Sequence, residues 1–389
     1  MKIAWLAIAA FALAVAGARS EAQTGGGRTL EELKAEVMAR AERNAYPLIG
    51  LKPAEVREAL DRLTSLDRDE WAAAWSTLGD RHMSNKNYLQ AWLYYSFARW
   101  PVPNSPGKQR AYEKALEAYL ARANMLDPPL EILRVPFEGR EIIGYVRMPK
   151  GARASPLVVA ISGLDSRKEE MVERFSPLLE RGIGILALDS PGTGQSPVKA
   201  VPGAERTLGR ALDAVLRRPD VDARRVAVYG GSFGGYWATI LAATEKERVR
   251  AVVAQSPPIH ETYSRALTQA LAGNREYLFD YVAAQMFTYG AATTTMEQLA
   301  EAREQLSLKA RNILGKPMAP MLVIAGALDT QVPMADIDLL LRSGDTPKEL
   351  WLHPRGGHMG RDAKDWPDPV IFRRVTTPWL LRALGEGAM

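Results

Sequence analysis

The 389-residue sequence contains no cysteine. Thiol catalysis and cysteine-ligated zinc are thereby excluded, and stability has to come from core burial rather than disulfides. Histidine is nearly as scarce, with four copies, at positions 82, 260, 353 and 358. Neither an H-x-x-x-H pair nor a carboxylate cluster points to a metal, and no cofactor is expected. A phosphate loop of the G-x-x-x-x-G-K type is missing too: the glycine loop DSPGTGQSP (189–197) has no lysine where one is needed and reads as a pocket wall. The net charge of +5 comes without basic runs interleaved with aromatics, which excludes nucleic acid as a partner.

Apolar runs long enough for a membrane span, roughly 20 residues, are also absent. The longest, Ile3–Ala16, follows Lys2 and precedes the small-residue sites Ala16-Gly17-Ala18 and Ser20-Glu21-Ala22. Residues 1–22 therefore read as a signal peptide. The expected product is periplasmic or secreted, with no stable membrane insertion after cleavage and no cysteine for a lipid anchor. What is present is globular, at 47% hydrophobic and 24% charged residues, and the length suits two domains.

Residues 28–126 carry apolar positions at helical spacing, over 29–44, 53–64, 68–83, 87–98 and 106–125, with no convincing strand. The pattern changes at 127. Leu130–Phe137 and Glu141–Met148 predict two strands joined at Glu138-Gly139-Arg140. Apolar strands at 157–162, 183–189, 226–229, 249–255, 321–326 and 349–353 then alternate with helices to residue 389. That alternation predicts an α/β fold, a mostly parallel sheet with helices on both faces. Residues 258–318 interrupt it with a helical insertion too long for a crossover, and are expected to form a lid.

Within the sheet pattern, Gly230-Gly231-Ser232-Phe233-Gly234 follows an apolar strand and opens an amphipathic helix. This is the G-x-S-x-G elbow in the context that gives it meaning. Glycines two before and two after the serine allow close backbone approach, and the helix directs N–H groups to where negative charge develops in acyl transfer. Serine needs a base. His82 lies among polar residues and reads as a surface histidine. His353 ends a strand, and His260 follows one at the sheet edge. His358, in the loop PRGGHMGRD beyond the last strand, fits the chain order nucleophile, acid, histidine. Asp329, just after the strand in PMLVIAGALDTQVP, is the acid candidate, although a helix cap is its bland alternative. Asp336 and Asp338, inside the next helix, are weaker. Oxyanion donors are expected from the Phe233 amide and from Leu164 in SGLDSRKEE, where Asp165, Ser166 and Lys168 read as a helix cap and first turn. Tyr236, His260 and Glu261 are candidates for the substrate pocket. Trp71, Trp75, Trp92, Tyr94, Tyr95, Phe97 and Trp100 read chiefly as helical core, with a minority walling an apolar pocket opposite Met286, Phe287 and Tyr289.

The stretches GGSFGGY, GALDTQVP and GGHMG, in this order, resemble the α/β-hydrolase superfamily. VPFEGREIIGYVRMP, ISGLDSRKEE, LALDSPGTGQS and the helical NYLQAWLYYSFARWPVPN resemble its subgroup with an all-helical N-terminal domain. That subgroup includes fermentation/respiration-switch esterase-like proteins and 2,6-dihydroxypseudooxynicotine hydrolase-like proteins. The resemblance implies Ser232, Asp329 and His358 as a catalytic triad, with Leu164 and Phe233 as oxyanion donors. Three functions follow as expectations. The first is an esterase-like serine hydrolase acting through an acyl-enzyme on an apolar or aromatic small molecule. The second is a carbon–carbon hydrolase using Glu261 as an extra carboxylate, and the third a non-catalytic exported binding protein. A homodimer is compatible with each.

Overall fold

The computed structural model describes residues 27–290, 294–362 and 364–385. Residues 1–22, expected to be a signal peptide, lie outside them. Five helices come first: α1 (Leu30–Glu42), α2 (Pro53–Asp61), α3 (Arg68–Ser84), α4 (Tyr88–Ala98) and α5 (Pro106–Ala123). Their starts follow local chemistry. Thr29 and Glu32 form a reciprocal capping box on α1, Asp67 accepts the amides of Asp69 and Glu70 on α3, and Ser105 precedes Pro106 on α5. Trp71, Trp75 and Phe97 fill the space between α3 and α4, with ring centroids 4.6–5.3 Å apart. His82 is not a surface residue. It faces inward, stacked on Tyr94, with Nε2 2.9 Å from the Glu55 carboxylate. Its polar sequence neighbours lie on the helix's other faces.

An eight-stranded sheet follows, β1 (Glu131–Phe137), β2 (Arg140–Arg147), β3 (Ser155–Ile161), β4 (Gly184–Leu188), β5 (Val221–Gly231), β6 (Ala251–Gln255), β7 (Met321–Gly326) and β8 (Lys348–His353). The spatial order is β1-β2-β4-β3-β5-β6-β7-β8. β1 and β2 form a hairpin on the two-residue turn Glu138-Gly139, both at positive φ, as a twisted hairpin requires. β2 meets β4 antiparallel, and every later pairing is parallel. The pleat sends alternate β3 residues to opposite faces. Leu157, Val159 and Ile161 join one buried cluster, while Val158 and Ala160 join the other.

Helices α6 (Lys168–Phe175) and α14 (Thr377–Leu384) serve one face, and α7 (Arg206–Val215), α8 (Phe233–Thr244) and α12 (Met334–Arg342) the other. Between β6 and β7 the chain makes α9 (Arg265–Ala270), α10 (Tyr281–Tyr289) and α11 (Met296–Glu304); α13 (Asp368–Ile371) lies near the end. The carboxyl ends of β3, β5, β6 and β7 thus open toward the helical region, where an open α/β sheet places its ligands.

Candidate active site

Ser232 links β5 directly to α8, at φ 53° and ψ −122°. A non-glycine residue there costs on the order of 1–3 kcal/mol and persists only if its surroundings impose it. They do: the Ser232 amide donates to Gln255 O at 2.7 Å, and Ser232 O accepts from the Gly235 amide at 2.8 Å. A Cβ on Gly230 would stand 2.0 Å from Gly234 O, and one on Gly234 2.5 Å from Ile161 O. The glycines two before and two after the serine are therefore steric necessities.

His358 Nε2 lies 2.8 Å from Ser232 Oγ, and His358 Nδ1 lies 3.1 and 3.0 Å from the two Asp329 carboxylate oxygens. The structure thus brings together the three residues that chain order singled out. Asp329 does not cap α12. Its Oδ1 accepts the amides of Gln331 and Val332, each at 2.9 Å, which fixes the carboxylate in the loop after β7. Burial works against ionised Asp329, but the facing imidazole and these amides outweigh it and hold the carboxyl below its usual range. Burial likewise opposes the imidazolium of His358, and Asp329 outweighs it, so the histidine sits above its ordinary value. A hydroxyl on an imidazole that rests on a buried carboxylate can lose its proton to the ring without exposing the new charge to water.

Leu164 and Phe233 are buried, and among the described residues neither amide donates a hydrogen bond. Gly163 stands beside the elbow, with Gly231 O 3.5 Å from the position of its absent Cβ. Asp165 does not act as a helix cap. It accepts from Trp100 Nε1 at 3.1 Å, while Ser166 Oγ takes the Gly163 amide at 2.8 Å.

Gln255 and Ser256, which sequence reasoning missed, tie the serine to the histidine. Gln255 Oε1 accepts from Tyr229, its Nε2 donates to Met359 O at 2.8 Å, and Ser256 Oγ takes the Met359 amide at 3.0 Å. Met359 itself is held at φ 67°. The available signal was a polar pair closing the otherwise apolar strand AVVAQS.

Ser232 and His358 open into a cavity of about 580 Å³. Its walls differ from the apolar ones expected. Trp100 does reach it, with Tyr46 and Tyr277, but Arg40, Arg174, Arg361, Asp165, Glu276 and Asp368 share the lining. Met286, Phe287 and Tyr289 are not among its lining residues; Phe287 packs under Lys199, and Tyr289 against Phe233. Tyr236, His260 and Glu261 are also absent from it. Tyr236 is buried on α8 and accepts from Arg311. Fully buried Asp336 collects the amides of Ile259, His260, Glu261 and Thr262, which turns this segment onto α12, and His260 Nδ1 pairs with Ser307 Oγ at 2.7 Å. Glu261 is half exposed, 3.6 Å from His260 Nε2. Glu261 is therefore not placed as an extra carboxylate beside Ser232. Among the described residues no group of acidic and histidine side chains could hold a metal ion.

The sequence model for esterase FrsA-like proteins matches residues 71–353. Esterase FrsA of Vibrio parahaemolyticus is 25% identical over 322 residues, covering 75% of this chain and 76% of that one. Esterase FrsA of Yersinia pestis is 27% identical over 310 residues, covering 75% and 74%. Among solved structures, AbyA5 superposes with a TM-score of 0.73 at 21% identity, over 92% of this chain and 95% of its own. The 2,6-dihydroxy-pseudo-oxynicotine hydrolase does so with 0.67 at 20%, over 89% and 95%. At such identities these two establish the α/β-hydrolase fold alone. The match to the family extends from α3 to the end of β8, and the chain belongs to the FrsA-like esterase family, as a hydrolase of small molecules.

Proposed function

We propose that the protein is a carboxylic ester hydrolase working through an acyl-enzyme on Ser232. His358 takes the Ser232 proton as Oγ attacks the ester carbonyl. Asp329 stabilises the resulting imidazolium, and the Leu164 and Phe233 amides receive the oxyanion. His358 then returns the proton to the leaving alcohol, and water repeats the sequence to free the acid. The observation that carries this reading is the unbroken chain from Ser232 Oγ through His358 to Asp329, on a serine held at positive φ. The family supports the ester as the bond attacked.

A fluorophosphonate probe on the purified protein tests it. Stoichiometric labelling that peptide mapping assigns to Ser232, with loss of aryl-ester hydrolysis in step, is the expected result. Undiminished hydrolysis by fully labelled protein would remove the serine from the reaction. Export is part of the same proposal, resting on the Lys2 and Ile3–Ala16 pattern. N-terminal sequencing of protein recovered outside the cytoplasm should begin within a few residues of 19–23.

A further inference from the structure

Residues 275–280, between α9 and α10, form a strap from which Glu276 and Tyr277 line the Ser232 cavity. Thr330 Oγ1, in the loop after β7, donates to Glu276 Oε2 at 2.8 Å, and the helical region holds the strap's backbone. Arg28 donates to Tyr277 O at 2.6 Å and Leu278 O at 3.1 Å, and Arg40 to Glu276 O at 2.9 Å. Trp100 stacks on Tyr277 with centroids 5.3 Å apart, and Trp71 meets Phe279 at 4.4 Å.

The strap ends on Asp280, at φ 63° and ψ 21°, with only 2% of its side chain exposed. Three donors from separate places converge on this carboxylate. Lys108 Nζ of α5, itself without solvent contact, is 2.7 Å from Oδ2. Asn104 Nδ2, in the loop before α5, is 2.9 Å from the same oxygen. Arg68 Nε, at the start of α3, is 2.8 Å from Oδ1. Lys108 Nζ also lies 4.6 Å from the Phe279 ring centroid. A buried ion pair is a poor source of net stability, because desolvation cancels most of its attraction; its attested use is to select one register over its neighbours. Aromatic contacts are less directional than charge-assisted hydrogen bonds. A carboxylate that must meet three fixed donors permits one position.

We propose that Asp280 is a positioning residue, latched by Lys108, Arg68 and Asn104, that sets Glu276 and Tyr277 over Ser232 and so makes the helical region one wall of the substrate site. The inference rests on the ester-hydrolase reading for what the site acts on, but the latch itself is measurable without turnover. Breaking it should loosen substrate selection and leave the chemistry of Ser232 in place.

The experiment compares the wild-type chain with Asp280→Asn, the doubly neutral Lys108→Met/Asp280→Asn, and Tyr277→Ala, in which one cavity-lining side chain is truncated but the latch is intact. Hydrogen exchange over 275–280 reports the latch. Values of kcat and KM for p-nitrophenyl acetate and p-nitrophenyl octanoate report the site. Asp280→Asn should raise exchange across the strap at least tenfold and raise KM for the octanoate about tenfold, with kcat for the acetate within about threefold of wild type. Tyr277→Ala should reproduce the KM change without the exchange change. If Asp280→Asn fails to fold, the double variant carries the measurement, because it leaves neither charge of the Lys108–Asp280 pair. Unchanged exchange over 275–280, or unchanged KM in the presence of raised exchange, overturns the proposal. A wild-type protein that hydrolyses neither ester but shows the exchange difference would instead count against the ester reading.

Discussion

Lys168 and Lys108 are both wholly buried, and their surroundings push them in opposite directions. Lys168 belongs to the sheet region. Its Nζ reaches Glu169 at 2.8 Å and Asp189 at 3.0 Å, above the Tyr145 ring. Burial opposes its charge, but the two carboxylates overcome that and hold the ammonium well above its usual range. Lys108, between the helical region and the strap, has one carboxylate, which Arg68 shares. Burial then wins, helped by the neighbouring guanidinium groups, and its pKa falls to about 8. The first cluster has carboxylate in surplus and welds the loop that follows β3, including Leu164, to the end of β4. The second has cation in surplus and joins two separately built parts. The first lies in the sheet region that carries the Ser232 elbow, and the second at the junction that carries the cavity residues Glu276 and Tyr277.

If the division between chemistry and wall is real, the largest effect belongs to Ser232. Ser232→Ala should lower kcat on an aryl ester by roughly 10⁴- to 10⁶-fold with the fold and both lysine clusters intact, which circular dichroism and steady-state kinetics would show. Asp329→Asn comes next, with a loss on the order of 10³- to 10⁴-fold, because the imidazole loses both its tautomer and its charge partner. The same variant has a pH signature. His358 must be neutral to accept the Ser232 proton, so kcat/KM falls as pH drops through its pKa. With Asp329 in place that limb lies above about 6.5, the value of a free imidazole. Without the carboxylate it moves to lower pH.

Stability separates the lysines. Lys168→Met strands two buried carboxylates and should cost about 3–5 kcal/mol in urea unfolding. Lys108→Met should cost less, about 1–3 kcal/mol, since Arg68 and Asn104 remain on Asp280. Equal losses would erase the distinction.

The two regions also differ in how far their sequences announced them. The elbow is local: its two key glycines, its strand and its helix lie within the 24 consecutive residues Val221–Thr244, and sterics alone demand that order. His358 and Asp329 followed from position after a strand, which the sheet's parallel connections preserve. The walls are not local. Trp71 and Trp100 read chiefly as helical core and Phe287 as a pocket wall, but a local pattern carries no information about which buried surface meets another. So Trp100 came to the cavity, and Phe287 went under Lys199. Asp336 read as a weaker candidate for the catalytic acid, inside the next helix. Its four amide partners sit in a loop more than 70 residues away, and no local pattern announces them. The placement of Glu261 failed for the same reason.

The smallest expected effect is the one that joins the regions. Glu276 belongs to the strap, yet its Oε2 accepts from Thr330 Oγ1 at 2.8 Å, one residue beyond Asp329, and it lines the cavity with His358. Its charge favours the imidazolium, after Asp329 has done most of that work and against the opposing effect of Arg361. Glu276→Gln retains the shape and the acceptor for Thr330 but removes the charge. The acid limb of kcat/KM should therefore move to lower pH, by less than in Asp329→Asn, while kcat on the plateau stays within about twofold. Asp280→Asn should shift that limb in the same direction, because a released strap carries the Glu276 carboxylate away from the ring. Coincident shifts in the two variants would mean that the wall tunes the base as well as shaping the site. A limb that moves in Glu276→Gln but not in Asp280→Asn would mean that Thr330 alone holds the carboxylate in place.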